Sequence, residues 1–281
     1  MKAKTIKNIL RAQFDLWVKS ITDEEVRAAV EKNTMITGGS IVSMLLGEKV
    51  NDFDLYFRNR ATAIEVAEYY AKQVPAANVE IKLDVDASGR KKMPGNISIR
   101  VNNPDAFKQE SDFADEIPES PDNKIEGTYA PVYMSSNAIT LSDGIQLICR
   151  FYGEPEEIHS NYDFIHCTCY WKSWDDELVL PQAALESILT KELRYVGSKY
   201  PLCSIIRIRK FMARQWTINA GQILKMVMQL QELDLKDIAT LQDQLVGVDS
   251  AYFGKIINLL QEKNVEKVDA GYLMTIIDRV F

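Results

Sequence analysis

The sequence is poor in the residues that usually carry thiol, zinc or histidine chemistry, with only 4 cysteines and 2 histidines in 281 residues. Cys149, Cys167, Cys169 and Cys203 are too few and too scattered for a disulfide framework, which fits a reducing cytoplasm. His159, His166, Cys167 and Cys169 suggest zinc, but no second cysteine pair stands at zinc-like spacing. Buried thiols acting as small hydrophobes are the plainer account. No run of 18 apolar residues offers a membrane span. The N-terminus, MKAKTIKNILRAQFDLWVKS, lacks the compact apolar core and cleavage site of a secretory signal. No nucleophile-elbow pattern is present, which argues against a serine hydrolase. Neither an internal repeat nor a low-complexity tract stands out.

Charge is scarce in net terms but unevenly spread. The chain carries −7 overall, which argues against indiscriminate nucleic-acid binding. Residues 105–126 hold eight acids against Lys108 and Lys124, a net −6. Residues 191–225 hold eight bases against Glu192 alone, a net +7. A basic block inside an acidic protein is a sharper partner signal than a basic total.

Hydrophobic content of 46% is enough for a well-filled core, and the length suits two domains or one with an insertion. Apolar periodicity predicts a helix over 5–20, with Ile6, Ile9, Leu10, Phe14 and Trp17 on one face. A capping box at Thr22–Glu25 starts a second. Further helices are expected over 61–73, from Pro181, and over 202–216, 217–232, 235–246, 249–263 and 266–281. The helix from Pro181 should bury Ala184, Leu185, Ile188, Leu189 and Leu193. Strands are expected near Met35, over 51–57, 79–85, 138–141, 145–151 and 161–169. From about 87 to 136 regular patterning breaks down, as in an insertion. The expectation is an α+β chain: a mixed-sheet head over 1–175, then an all-helical domain over 176–281.

Residues 36–57, ITGGSIVSMLLGEKVNDFDLYF, carry the most chemistry. They read as a strand end, the turn Gly38-Gly39-Ser40, a helix, and a strand bearing Asp52 and Asp54. Side chains two apart on a strand share a face, so both carboxylates project together while Phe53, Leu55 and Phe57 enter a core. Paired carboxylates repel unless a cation sits between them, and hard oxygen ligands suit Mg²⁺. A glycine-rich turn opening a helix offers bare N–H groups to an anion. A phosphate seat beside a metal seat is the minimum equipment for chemistry on a nucleoside triphosphate. The plainer alternative, a surface turn with solvated acids, fits poorly with so apolar an opposite face.

Gly38, Gly39, Ser40, Asp52 and Asp54 resemble the signature of the polymerase-beta-like nucleotidyltransferase superfamily. In that superfamily a third carboxylate sits on a strand next to the Asp-x-Asp strand. Asp163, Asp84 and Asp86 are candidates here, with Asp163 preferred because it lies inside an apolar segment that demands a partner. NYDFIHC (161–167) is similar, through Asp163, Phe164 and Ile165, to an element of CCA-adding enzymes and bacterial poly(A) polymerases that helps recognise the nucleotide. Its two leading arginines are absent, so Asp163 contacts either metal or nucleotide in this reading. PLCSIIRIRKFMARQW (201–216) resembles a helix of the same enzymes through Pro201, Leu202, Arg207, Lys210 and Phe211, with one extra residue before Arg207. Arg207, Lys210 and Arg214 would form a basic stripe suited to triphosphate or RNA backbone, unless it is a solvated face paired with acids. Lys199 would add a phosphate contact.

The resemblance implies nucleotidyl transfer from an NTP, ATP among the candidates, with Asp52, Asp54 and Asp163 holding two Mg²⁺ ions, or Mn²⁺ in their place. Gly38, Gly39, Ser40, Lys199, Arg207 and Lys210 would bind nucleotide. An RNA 3′ end, tRNA-like, is the favoured acceptor; a protein, a small molecule, or a silent binding module are the alternatives. The look is also to phage-encoded members, which would place the chain in a host-cell cytoplasm.

Overall fold

The computed structural model describes residues 1–74, 77–81, 97–101, 129–135, 137–237, 240, 241 and 244. The chain divides into two compact units. One comprises Met1–Gln109, Glu119–Ser160 and His166–Leu189; the other includes Asn161–Ile165 and Thr190–Phe281. Residues 176–189 thus group with the first unit and 161–165 with the second.

The first unit opens with α1 (Ala3–Ser20), whose inward stripe of Ile6, Leu10, Phe14 and Trp17 is buried. Ile9, expected on that stripe, is exposed. The second helix, α2 (Glu24–Asn33), starts at Asp23: its carboxylate accepts from the N–H groups of Glu25 and Val26, so Asp23 and not Thr22 caps the helix. There follow β1 (Thr34–Thr37), α3 (Gly39–Leu46), β2 (Phe53–Phe57) and α4 (Arg60–Ala71). Asn59 caps α4 by accepting from Thr62 N–H.

The sheet has seven strands in the order β5-β6-β7-β2-β1-β8-β9. Its remaining members are β5 (Pro131–Met134), β6 (Ala138–Leu141), β7 (Ile145–Tyr152), β8 (Tyr170–Lys172) and β9 (Glu177–Val179). Only the β2–β7 pairing is parallel; the other neighbours run antiparallel, which makes the sheet mixed. One face is continuous core: Ile36, Leu55, Phe57, Leu147 and Trp171 are fully buried. Each such side chain contributes roughly 1.5–3 kcal/mol through burial. Phe14 packs on Trp171 at 5.2 Å between ring centroids, and Trp17 Nε1 donates to Tyr70 Oη at 2.8 Å. Phe53, expected in this core, is only half-buried at the mouth of β2.

A separate antiparallel pair joins β3 (Ala77–Ile81) and β4 (Ile97–Val101). Residues 82–85 of the expected 79–85 strand lie outside the described residues, as do Asp84, Asp86 and the acidic stretch over 105–126. A short helix, α5 (Pro155–His159), follows β7, and α6 (Gln182–Thr190) ends the unit. On α6 Ala184 and Ile188 are buried, but Leu189 is 83% exposed, against expectation.

The second unit contains α7 (Pro201–Ala213), α8 (Ala220–Leu230) and a short parallel pair between β10 (Glu192–Leu193) and β11 (Thr217–Ile218). The start of the expected helix over 217–232 is therefore strand. The helices expected over 249–263 and 266–281, and most of 235–246, lie outside the described residues. The fold class is α+β: a mixed sheet with helices, followed by a C-terminal part rich in helix. Among the described residues, no helix is long and apolar enough to cross a membrane.

One expected strand is absent. Residues 161–169 form a turn, a single bridge between Phe164 and Tyr195, and a 3-10 turn over Ile165–Thr168. Alternation of apolar and polar residues resembled a strand here, but the apolar members are claimed by different neighbours. Phe164 packs against Tyr195 and Phe211, while Cys169 faces the core of the first unit.

Candidate active site

The antiparallel register of β1 and β2 sets Thr37 opposite Asp54, and the turn begins at the next residue, Gly38. Gly38 has φ 92° and ψ −142°, a backbone conformation reserved for glycine, and it turns the chain from β1 into α3. At Gly39 an added Cβ would meet nothing within 4 Å, so the space beside the turn is open there. Ser40 is 3% exposed, and its Oγ finds no hydrogen-bond partner among the described residues. A buried hydroxyl without a protein partner at a helix start is completed by water or by a ligand oxygen. These are the three turn residues singled out from the sequence.

Asp52 lies just before β2 and Asp54 within it; both are half-buried. Burial first, and the charge of Asp52 second, hold the Asp54 carboxyl well above the usual carboxylate range. Two neighbouring carboxylates in a half-desolvated site, each raising the cost of the other's charge, are a hard oxygen donor set that fits a divalent cation such as Mg²⁺.

The strands flanking β2 carry no acid beside Asp54. Thr37 faces it from β1 and Gln146 from β7. Among the described residues no three acids, histidines or cysteines gather as a ligand set. That also leaves His159, His166, Cys167 and Cys169 without a zinc-like arrangement; burial pushes the Cys169 thiol up to about 12, as it does Cys149. The Ser142–Gly144 turn meets the strand start instead: at Gly144, with φ +72°, a Cβ would come within 2.9 Å of the Asn51 carbonyl oxygen. Only glycine lets β7 draw this close to the residue before Asp52.

Thr37 is fully buried, and its hydroxyl donates to the Cys169 carbonyl at 3.0 Å. With that one proton committed, His159 Nε2, 2.9 Å away, must carry the hydrogen it shares with Thr37 Oγ1. Burial lowers the His159 pKa from 6.5 to about 4, with Glu156 pulling weakly the other way. His159 is thus a neutral imidazole that fixes the residue facing Asp54. Nothing in the sequence pattern marked this role.

In the second unit, Asp163 is 7% exposed and accepts a 2.6 Å ion-paired hydrogen bond from Arg207 Nη1. Its backbone carbonyl accepts from Val196 N–H. Asp163 therefore has a cation partner from the chain itself. Arg207, first of the expected basic stripe, is occupied by this pair. Lys210 is half-buried, and Arg214 lies just past the end of α7. Lys199 is exposed, its Nζ 5.7 Å from the Tyr200 ring centroid.

Among known proteins, the chain is 20% identical over 236 residues to a protein of Bacillus phage SPbetaL7 described as Gabija anti-defense 2. The match covers 83% of this chain and 46% of that relative, so the chain spans about half its length. Among solved structures, it is similar to the Thermotoga maritima CCA-adding enzyme complexed with tRNA, at TM-score 0.41 and 14% identity. That likeness covers 82% of this chain and 48% of the enzyme. A CCA-adding enzyme in its apo form is similar at TM-score 0.44 and 13% identity, over 85% of this chain and 47% of that one. The profile of the Gabija anti-defense 2 family matches residues 8–191, and the chain belongs to that family.

Proposed function

We propose that the protein is a metal-dependent nucleotidyltransferase that moves a nucleoside monophosphate from an NTP to an acceptor hydroxyl, with pyrophosphate as the leaving group. The observation that carries this reading is the adjacency of two built features. The Gly38–Ser40 turn, with open space beside it and a partnerless buried hydroxyl, begins one residue after the register partner of Asp54.

In this reading the turn amides and Ser40 Oγ hold the terminal phosphates, helped by the positive end of α3. Asp52 and Asp54 would hold Mg²⁺, which when bound supplies positive charge against the phosphates and lowers the pKa of the attacking hydroxyl. His159 and Thr37 keep the wall beside Asp54 fixed, and the fully buried opposite face keeps β2 rigid. Reaction forms a bond from the acceptor oxygen to the α-phosphorus as the bond to the bridging oxygen breaks; the hydroxyl proton passes to water.

An RNA 3′ end is the acceptor we favour, supported by the net +7 over residues 191–225. Lys199 and Lys210 are the bases we assign to triphosphate or RNA backbone. Arg207 would reach a ligand only by sharing or leaving Asp163, and Asp163 would join the metal site only by leaving Arg207. One observation favours a second reading, a nucleotide-binding protein without transfer: the flanking register positions hold Thr37 and Gln146, not a third acid. A relative's name places it in anti-defence, a role that either reading serves.

The test offers the protein each NTP labelled at the α-phosphate, with Mg²⁺ and total cellular RNA or protein. Label in the RNA fraction that disappears in Asp52→Ala and Asp54→Ala supports the first reading. Full incorporation by both variants sinks the metal assignment. Nucleotide binding without transfer to any fraction supports the second.

A further inference from the structure

The sheet register sets Thr140 of β6, Gln146 of β7 and Asp54 of β2 in one row across neighbouring strands. Residues directly opposite in paired strands share a face, so Thr140 and Gln146 stand on the side that carries Asp54, at steps of about 4.8 Å. All three are half-buried, and none of their side chains has a hydrogen bond to another described residue. Half-buried amide and hydroxyl groups left this way are completed by water or by a ligand.

Their place in the sheet tells which ligand. The Gly38–Ser40 turn leaves the end of β1, on one side of β2; β7 and β6 lie on the other side. A triphosphate seated on the turn reaches Asp54 from the β1 side. The β7 side is then where the group receiving the nucleotide must enter. The two residues waiting there are uncharged. A phosphate at that spot would call for a cation. A primary amide instead offers one acceptor and two donors in a plane, which matches two neighbouring hydroxyls better than a single one.

We propose that Gln146, backed by Thr140, binds the 2′- and 3′-hydroxyls of the terminal ribose of an RNA acceptor and so presents the 3′-oxygen beside Asp54. This rests on the nucleotidyl-transfer reading above and gives its acceptor site a chemical class, a vicinal diol. Gln146 is then a specificity residue for the acceptor and makes no contribution to NTP binding.

The experiment follows transfer from α-labelled NTP onto a short single-stranded RNA ending in ribose and onto the same RNA ending in 2′-deoxyribose. Wild type should show a KM about tenfold higher for the deoxy-ended RNA, the size of one lost hydrogen bond in a built site. Gln146→Leu should raise the KM for the ribose-ended RNA by a similar factor and erase the preference, with the KM for NTP unchanged. Thr140→Val, a near-isosteric change, should reduce the preference without erasing it. Thermal melts with and without NTP establish that each variant is folded and still binds nucleotide. Equal use of both RNA ends by wild type, or an unchanged preference in Gln146→Leu, overturns the proposal. Label on protein and not on RNA overturns it too, while leaving nucleotidyl transfer standing; no label anywhere overturns both.

Discussion

Asp54 is an acid held where its charge is unwelcome, and its immediate neighbours explain how the fold tolerates this. Thr37 faces it without donating to it, because its proton goes to the Cys169 carbonyl. His159 donates to Thr37 and stays neutral because it is buried. This has a measurable consequence. In the unfolded chain the imidazole takes a proton near pH 6.5, but in the folded chain only near 4. Between those values the unfolded state binds the extra proton, so acid favours unfolding there. The His159 contribution is therefore fully present above about pH 6.5 and is lost as pH falls toward 4. Urea unfolding of wild type and His159→Gln across pH 4–7 should show the difference between them changing in that window and flat above it. A constant difference would show that His159 titrates alike in both states.

At the scale of elements, the β1-turn-α3-β2 unit was readable almost in full, because a glycine pair, an eight-residue helix and an alternating strand are all local patterns. The two glycines differ in what they do, and substitution separates them. Gly38→Ala places a Cβ at φ 92°, and strain of this kind costs on the order of 1–3 kcal/mol, visible as a lowered melting temperature. Gly39→Ala has open space for its Cβ and should melt at or slightly above wild type, since alanine suits a helix better. It should nevertheless weaken NTP binding, because the methyl group occupies the open space beside the turn. Equal nucleotide affinity in Gly39→Ala and wild type, by titration calorimetry, would remove the phosphate from the turn. The segment over 161–169 shows the opposite case. Its alternation is real, but Phe164 and Cys169 answer to different units, and no strand partner runs along it.

Across the whole molecule, an acidic chain carries one block, residues 191–225, with a net charge of +7, and two of its bases behave differently in the structure. Arg207 is tied to the buried Asp163; removing it strands that carboxylate, so Arg207→Ala should cost about 3–5 kcal/mol of stability by urea unfolding. Lys199 is exposed on the loop before α7. If it meets an RNA phosphate, Lys199→Ala should leave stability unchanged and lower the slope of log Kd against log salt by about 0.7 for a single strand. A slope equal to that of wild type would remove Lys199 from the RNA contacts. The Gly-Gly-Ser turn, the acid pair, the core stripe of α1 and the strands of β6 and β7 were determined by the sequence alone. Each depends on residues within a few positions of one another. What only the tertiary structure decided was pairing between distant segments: Gln146 and Thr37 as the flanks of Asp54, His159 as the support of Thr37, and Arg207 as the partner of Asp163. These juxtapositions join residues 17 to 122 positions apart. A local pattern shows which face of a strand is buried, but which distant segment lies beside it is decided only when whole faces are buried together.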